Sequence, residues 1–207
     1  MYIKQLLMTA LAGAIIISAC KKKSDDDDDT TPTPTPTPTK VICDGNGTTT
    51  YFPLKLNNVW KYSDDQGGDI SLTLNDTSRN QGHFYFDLYD PFSDIFFTDP
   101  DLREDSVTKD IYLYESTSGD EYLWVPANPV VGTTTPFSTS FSMKVLSTTA
   151  SITTDSCSYT GLLEMQKIIP GGTPRYYFYK KGIGMVAYRD TLLGIPRTID
   201  LKQVTLN

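Results

Sequence analysis

Histidine is almost absent from this 207-residue chain, and the single His83 restricts any Ser-His-Asp or Cys-His mechanism to one side chain. It stands at Gly82-His83-Phe84, where a turn enters an apolar run, and no nucleophile-elbow glycine pattern accompanies it. Three scattered cysteines and one histidine are too few for a structural zinc site, which takes four ligands. There is no Cys-x-x-Cys pair and no glycine-rich phosphate loop ahead of a helix, and no cofactor is implied. Basic residues are outnumbered, 18 Lys and Arg against 25 Asp and Glu for a net charge of −7. They form no cluster in the part expected to fold, so nucleic acid, whose phosphates need grouped cations, is excluded as a partner.

Long apolar runs are missing too. The longest, Leu6 to Ile17, follows Lys4 and offers twelve mostly apolar positions, fewer than the about 20 a membrane-crossing helix needs. Residues 1–19 therefore read as a secretory signal that is cut away. The ending Ile17-Ser18-Ala19-Cys20 resembles the bacterial lipobox. That resemblance implies a diacylglycerol on the Cys20 sulfur, cleavage just before Cys20, and a mature protein held on a lipid bilayer, where two or three acyl chains anchor stably.

Residues 20–40 carry Lys21-Lys22-Lys23-Ser24, five aspartates from Asp25 to Asp29, and a Thr-Pro repeat from Thr30 to Thr39. With no apolar side chain to bury, nothing offsets their conformational entropy, and a disordered tether is expected. The prolines favour extended polyproline II at about 3.1 Å per residue, so the repeat spans roughly 30 Å. An acidic run just after the lipidated cysteine resembles the signal that exports lipoproteins of Bacteroidota to the outer face of the outer membrane. The resemblance implies the cell surface, with the periplasmic face as the alternative.

From Val41 the chain becomes aromatic-rich and alternates with period two, as in Ile70-Leu72-Leu74, Phe84-Phe86-Leu88, and Phe137, Phe141, Met143 and Val145. Further strands are expected over Val59–Ser63, Ile111–Glu115, Tyr122–Val125, Leu162–Ile168, Tyr176–Lys180, Met185–Arg189 and Thr198–Thr205. Turn signals separate them at residues 64–68, 80–82, 118–120 and 170–172. The expectation is an all-β domain over 41–207: eight to ten strands in an antiparallel curved sheet forming a half-barrel, barrel or sandwich. Pro91 to Val107 interrupts the rhythm and reads as a long excursion with one helical turn near Asp101 to Ser106.

Two segments, Tyr51-Phe52-Pro53-Leu54 through Val59-Trp60-Lys61-Tyr62 and Gly182-Ile183-Gly184-Met185-Val186, resemble a pattern of uncharacterised envelope lipoproteins, some called TapB-like. The resemblance implies a curved antiparallel sheet and no agreed activity. Asn57-Asn58 stands where that pattern has a glycine. Lipocalins also open with Gly-x-Trp, so a cup for an apolar ligand is the alternative architecture. On the residues alone, Trp60 is a core anchor, and Gly182 and Gly184 permit a bulge or a close backbone approach.

The remaining candidates are modest. Cys43 and Cys157 form a disulfide if the envelope oxidises them, or else are two buried thiols. Asp87 to Glu121 holds eleven acids against Arg103 and Lys109, a net of −9, and Asp99, Asp101, Glu104 and Asp105 are weak candidates for calcium on one loop, against the plainer reading of a solvated acidic stretch. Asp29-Thr30-Thr31, Asp105-Ser106-Val107 and Asp190-Thr191-Leu192 resemble O-glycosylation acceptors of Bacteroidota, which makes Thr30, Ser106 and Thr191 candidate sites. No catalytic residue is assigned. The expected protein is a non-enzymatic envelope lipoprotein whose head binds or scaffolds a protein, a glycan or a small apolar ligand.

Overall fold

The computed structural model describes residues 43–45, 47–89, 100–137 and 140–207. Among them there is no helix; twelve strands form one antiparallel sheet. They are β1 (Val59–Asp64), β2 (Gly68–Asn80), β3 (His83–Tyr89), β4 (Asp101–Glu104), β5 (Ile111–Glu115), β6 (Asp120–Val125), β7 (Thr134–Phe137), β8 (Phe141–Thr153), β9 (Ser158–Ile168), β10 (Arg175–Lys180), β11 (Gly184–Leu192) and β12 (Ile195–Thr205).

Apart from β6 and β7, strands adjacent in sequence pair with one another, and β1 pairs with β12, Val59 opposite Thr205 and Asp64 opposite Ile199. The meander thus closes through its two ends, and the one pair left without a hydrogen-bonded ladder is β6 and β7. Rings bridge that seam. Tyr122 of β6 stacks on Phe137 of β7 at 4.6 Å, and Trp124 meets the same ring edge-on at 5.5 Å. The result is a nearly closed barrel-like sheet, in which curling removes most of the exposed edge that an open sheet leaves unpaired.

Alternation explains the filling. On β1, Trp60 and Tyr62 are fully buried while Lys61 is exposed, and on β2 Ile70, Leu72 and Leu74 take the same inner face. Leu88, Leu102, Trp124, Tyr177, Tyr179, Met185 and Tyr188 join them from the other strands. All of these are large side chains without accessible surface or nearly so, so no water-sized space lies against them.

Two local expectations are corrected. Asp101 to Ser106 holds no helical turn: its first four residues form β4, because Leu102 faces the core opposite Phe86 and Leu113, while Arg103 takes the other face. The acids that suggested a helix start serve the next turn instead, where Asp105 Oδ1 accepts from the N–H groups of Val107 and Thr108. Phe137 and Phe141 belong to two strands of one hairpin and stack at 4.5 Å, where alternation alone suggested a single strand. Twelve strands replace the expected eight to ten because β4 and β7 are each four residues long.

Candidate functional site

The two sequence motifs meet at one end of the barrel. Trp60 Nε1 donates to the Ile183 carbonyl at 2.5 Å, and Tyr62 donates its hydroxyl hydrogen to the Met185 carbonyl at 2.9 Å. Phe52 stacks on Trp60 with ring centres 4.8 Å apart. A Cβ on Gly184, whose φ is +114°, would lie 2.7 Å from Trp60 Nε1, so only glycine allows the indole to sit there. Asn57 takes φ 65°, a left-handed conformation that asparagine tolerates.

The described residues 43–45 and 47–58 lie as a strap at this end. Gly182 N–H donates to the Thr50 carbonyl at 2.8 Å, and Lys181 Nζ sits 4.9 Å from the Tyr51 ring centre. Asn58 Nδ2 donates to Pro53 O at 2.9 Å while its Oδ1 accepts from Asn207 N–H at 2.8 Å, fixing strap and chain end together. Cys43 and Cys157 are joined by a disulfide, which ties the strap to the β8–β9 turn across 114 residues. Beside the strap lies a groove of about 330 Å³, lined in part by Pro53, Leu54, Lys55, Glu104, Lys109 and Leu206.

Across β3 to β6 the acidic stretch is folded into a network on the outer face. Glu121 receives Arg103 through both guanidinium nitrogens facing it and the Tyr85 hydroxyl at 2.8 Å. Burial pushes the Glu121 carboxyl up, but Arg103 and Tyr85 outweigh it and hold it below the usual range. Burial and then the Glu121 carboxylate push the Tyr85 hydroxyl up to about 12. Asp101 accepts from Ser78 Oγ and Asn80 Nδ2, Glu104 pairs with Lys109 at 3.1 Å, and Asp110 accepts from Ala127 N–H. Asp101, Glu104 and Asp105 therefore turn to different partners rather than to one ion, and Asp99 lies outside the described residues. Among the described residues no group of three or more His, Cys, Asp or Glu is placed to hold a metal.

The opposite end holds charges inside the barrel. Arg197 donates to Asp64 Oδ2 through Nε at 3.0 Å and Nη2 at 2.6 Å, with both side chains about 95% buried at 5% and 4% exposure. Burial pushes Asp64 up, but Arg197 and the Gln66 N–H more than compensate and lower it. Tyr188 donates to Asp190 at 2.7 Å; toward the strap end, where Tyr179 pairs with Met185, Trp124 Nε1 donates to the Tyr179 hydroxyl at 3.0 Å. Lys167 Nζ sits 4.0 Å above the Phe141 ring, and burial followed by the charge of Arg175 lowers its amine to about 8. These residues are single polar letters at strand ends, so nothing in the sequence grouped them. Their pairs and ring contacts tie neighbouring strands together inside the barrel.

His83 is exposed at the start of β3, Ser106 is exposed in the β4–β5 turn, and Thr191 is half-buried opposite Pro196. Cys20 and Thr30 lie outside the described residues.

No family model matches the chain, and no curated protein matches it. Among solved structures, it is similar to a Bacteroides fragilis protein described as exported and YmcC-like in fold, with TM-score 0.44, 10% identity, and coverage of 76% of this chain and 99% of that one. A protein of Parabacteroides distasonis described as a lipoprotein gives TM-score 0.41 and 12% identity over 76% of this chain and 99% of its own.

Proposed function

We propose that this chain is a lipid-anchored envelope protein whose β head binds or scaffolds a partner through its outer surface and carries out no chemistry. The observation that carries the reading is the filled interior: Trp60, Tyr62, Trp124, Tyr177, Tyr179 and Tyr188 are fully buried at its centre. The inner face is occupied by the protein's own rings, which leaves the outside and the two ends for contact. The cup reading needs space where these rings stand.

The anchor rests on Ile17-Ser18-Ala19-Cys20 and the spacer on the aspartate and Thr-Pro runs. The acidic run favours the outer membrane and the cell surface. Fractionation of cells making the Cys20→Ala variant tests the anchor: the head is expected in the aqueous fraction, and retention in the membrane fraction would refute it. Protease treatment of whole cells then separates the faces, with the head cleaved at the surface and spared in the periplasm.

A further inference from the structure

The outer half of the β8–β9 hairpin runs on past the strands beside it. β7 pairs with β8 only as far as Lys144, and β10 pairs with β9 only as far as Leu163, so among the described residues 146–162 are laddered to each other alone. Three register shifts between Val145 and Ile152 bend this stretch, as bulges do. A two-stranded hairpin by itself is marginally stable in water, so its own ladder does not hold it in place.

A small apolar contact and one covalent bond hold it instead. Cys157, Tyr159 and Leu162 are buried, Ala150 and Ile152 pack half-buried against the core, and Lys180 Nζ donates to the Thr160 carbonyl at 2.7 Å. The contact has a defect. Tyr159 is 1% exposed, and its hydroxyl has no hydrogen-bond partner among the described residues. Burial, then the Asp200 carboxylate, push that hydroxyl up to about 12. Closing the tip therefore buries apolar area and forfeits a hydrogen bond to water in the same step. The Cys43–Cys157 bond makes up the difference by tying the tip to the start of the strap. The rest of the strap is held without it, through Gly182 N–H on the Thr50 carbonyl and Phe52 on Trp60.

We propose that the Cys43–Cys157 disulfide is a redox latch on this tip. Oxidised, it keeps residues 146–162 against the barrel; reduced, it lets the tip and the start of the strap open while the barrel stays folded. The trigger is a dithiol. Its thiolate attacks the sulfur of Cys43, the more exposed of the two cysteines, and Cys157 leaves as a thiolate. The donor's second thiol then displaces Cys43, so two electrons and the donor's two protons end on Cys43 and Cys157, and the donor departs as a disulfide. Opening brings Ile152, Cys157 and Tyr159 to the surface, an apolar face available only in the reduced form.

The test uses the full chain in detergent. Dithiothreitol without denaturant is expected to release the two thiols, counted with iodoacetamide, while tryptophan emission stays native. A bond that resists reduction until the protein is denatured, or native emission lost as the thiols appear, would overturn the latch. Chymotrypsin then locates the opening, with cut sites identified by fragment mass. In the Cys43→Ser, Cys157→Ser variant, cleavage after Tyr159 and Leu162 is expected to be about tenfold faster or more than in the oxidised protein, and confined to the tip. Equal rates, or faster cuts spread over the barrel strands, would overturn it. Adding Tyr159→Phe, which removes the orphan hydroxyl, should slow the cut after Leu162 by about threefold or more, and an unchanged rate would count against the proposal. None of these outcomes involves Cys20, so membrane fractionation reports on the anchored-head reading separately.

Discussion

At the strap end, Trp60 and Tyr62 donate to the main-chain carbonyls of Ile183 and Met185, whereas across β3 to β6 the side chains bind one another, Arg103 and Tyr85 both reaching Glu121. The first arrangement fixes backbone to backbone through rings that are already buried. The second covers an outer face, where Tyr85 is fully buried but the ion pair keeps some contact with water, 11% for Arg103 and 21% for Glu121. Burying a ring whose polar atom finds a carbonyl gains from both the apolar area and the satisfied donor. An ion pair at a partly wet surface returns little net stability, although removing one partner exposes the cost of the other.

If that contrast holds, truncation at the strap end does the most damage. Trp60→Ala is expected to cost about 3–5 kcal/mol, and Gly184→Ala about 2–5 kcal/mol because its Cβ meets the indole at positive φ. Chemical denaturation of each variant measures this, and a loss below about 1 kcal/mol for either would reverse the ranking. Replacing Cys43 and Cys157 by serine frees a strap closed over 114 residues and is expected to cost about 2–5 kcal/mol, read as a lower melting temperature under non-reducing conditions.

Glu121→Gln comes next, at about 1–3 kcal/mol, since it leaves Arg103 without its partner charge. Its pH dependence has a definite sign. The folded carboxyl is below its ordinary value, so its stabilisation is present above about pH 4.3 and is lost as pH falls through the lowered folded value. The glutamine variant should lack that part of the acid transition. Lys167 acts over a different range. Its amine is lowered to about 8 in the fold against about 10.4 unfolded, so stability should rise as pH climbs from about 8 to about 10. Lys167→Met is expected to flatten that rise, and an unchanged slope would count against a buried amine. The smallest effect belongs to Leu193→Asn, which suits φ 51° and should raise stability by about 0.5–1 kcal/mol, read by chemical denaturation.

The same contrast separates what the sequence discloses from what it hides. Inner-face alternation made β1, β2, β3, β5, β9 and β10 legible, because each places several apolar residues two apart against polar neighbours. Gly184 beside the Trp60 indole was legible as a close approach. The turn at Leu193–Gly194 was hidden, since leucine is not a turn residue and only the backbone reveals its left-handed conformation. β4 was hidden because four residues with one core position, Leu102, are too few to show a period. The charged end of the interior was hidden for another reason: Asp64 and Arg197 are 133 residues apart in the chain and meet only because β1 pairs with β12.

The most direct test of a filled head is titration of the purified protein with a fluorescent fatty acid while tryptophan emission is followed. With Trp60 and Trp124 packed against protein on all sides, no saturable uptake and no quenching are expected. One-to-one binding that quenches either indole would contradict the account, because it would require an open interior where the rings now stand.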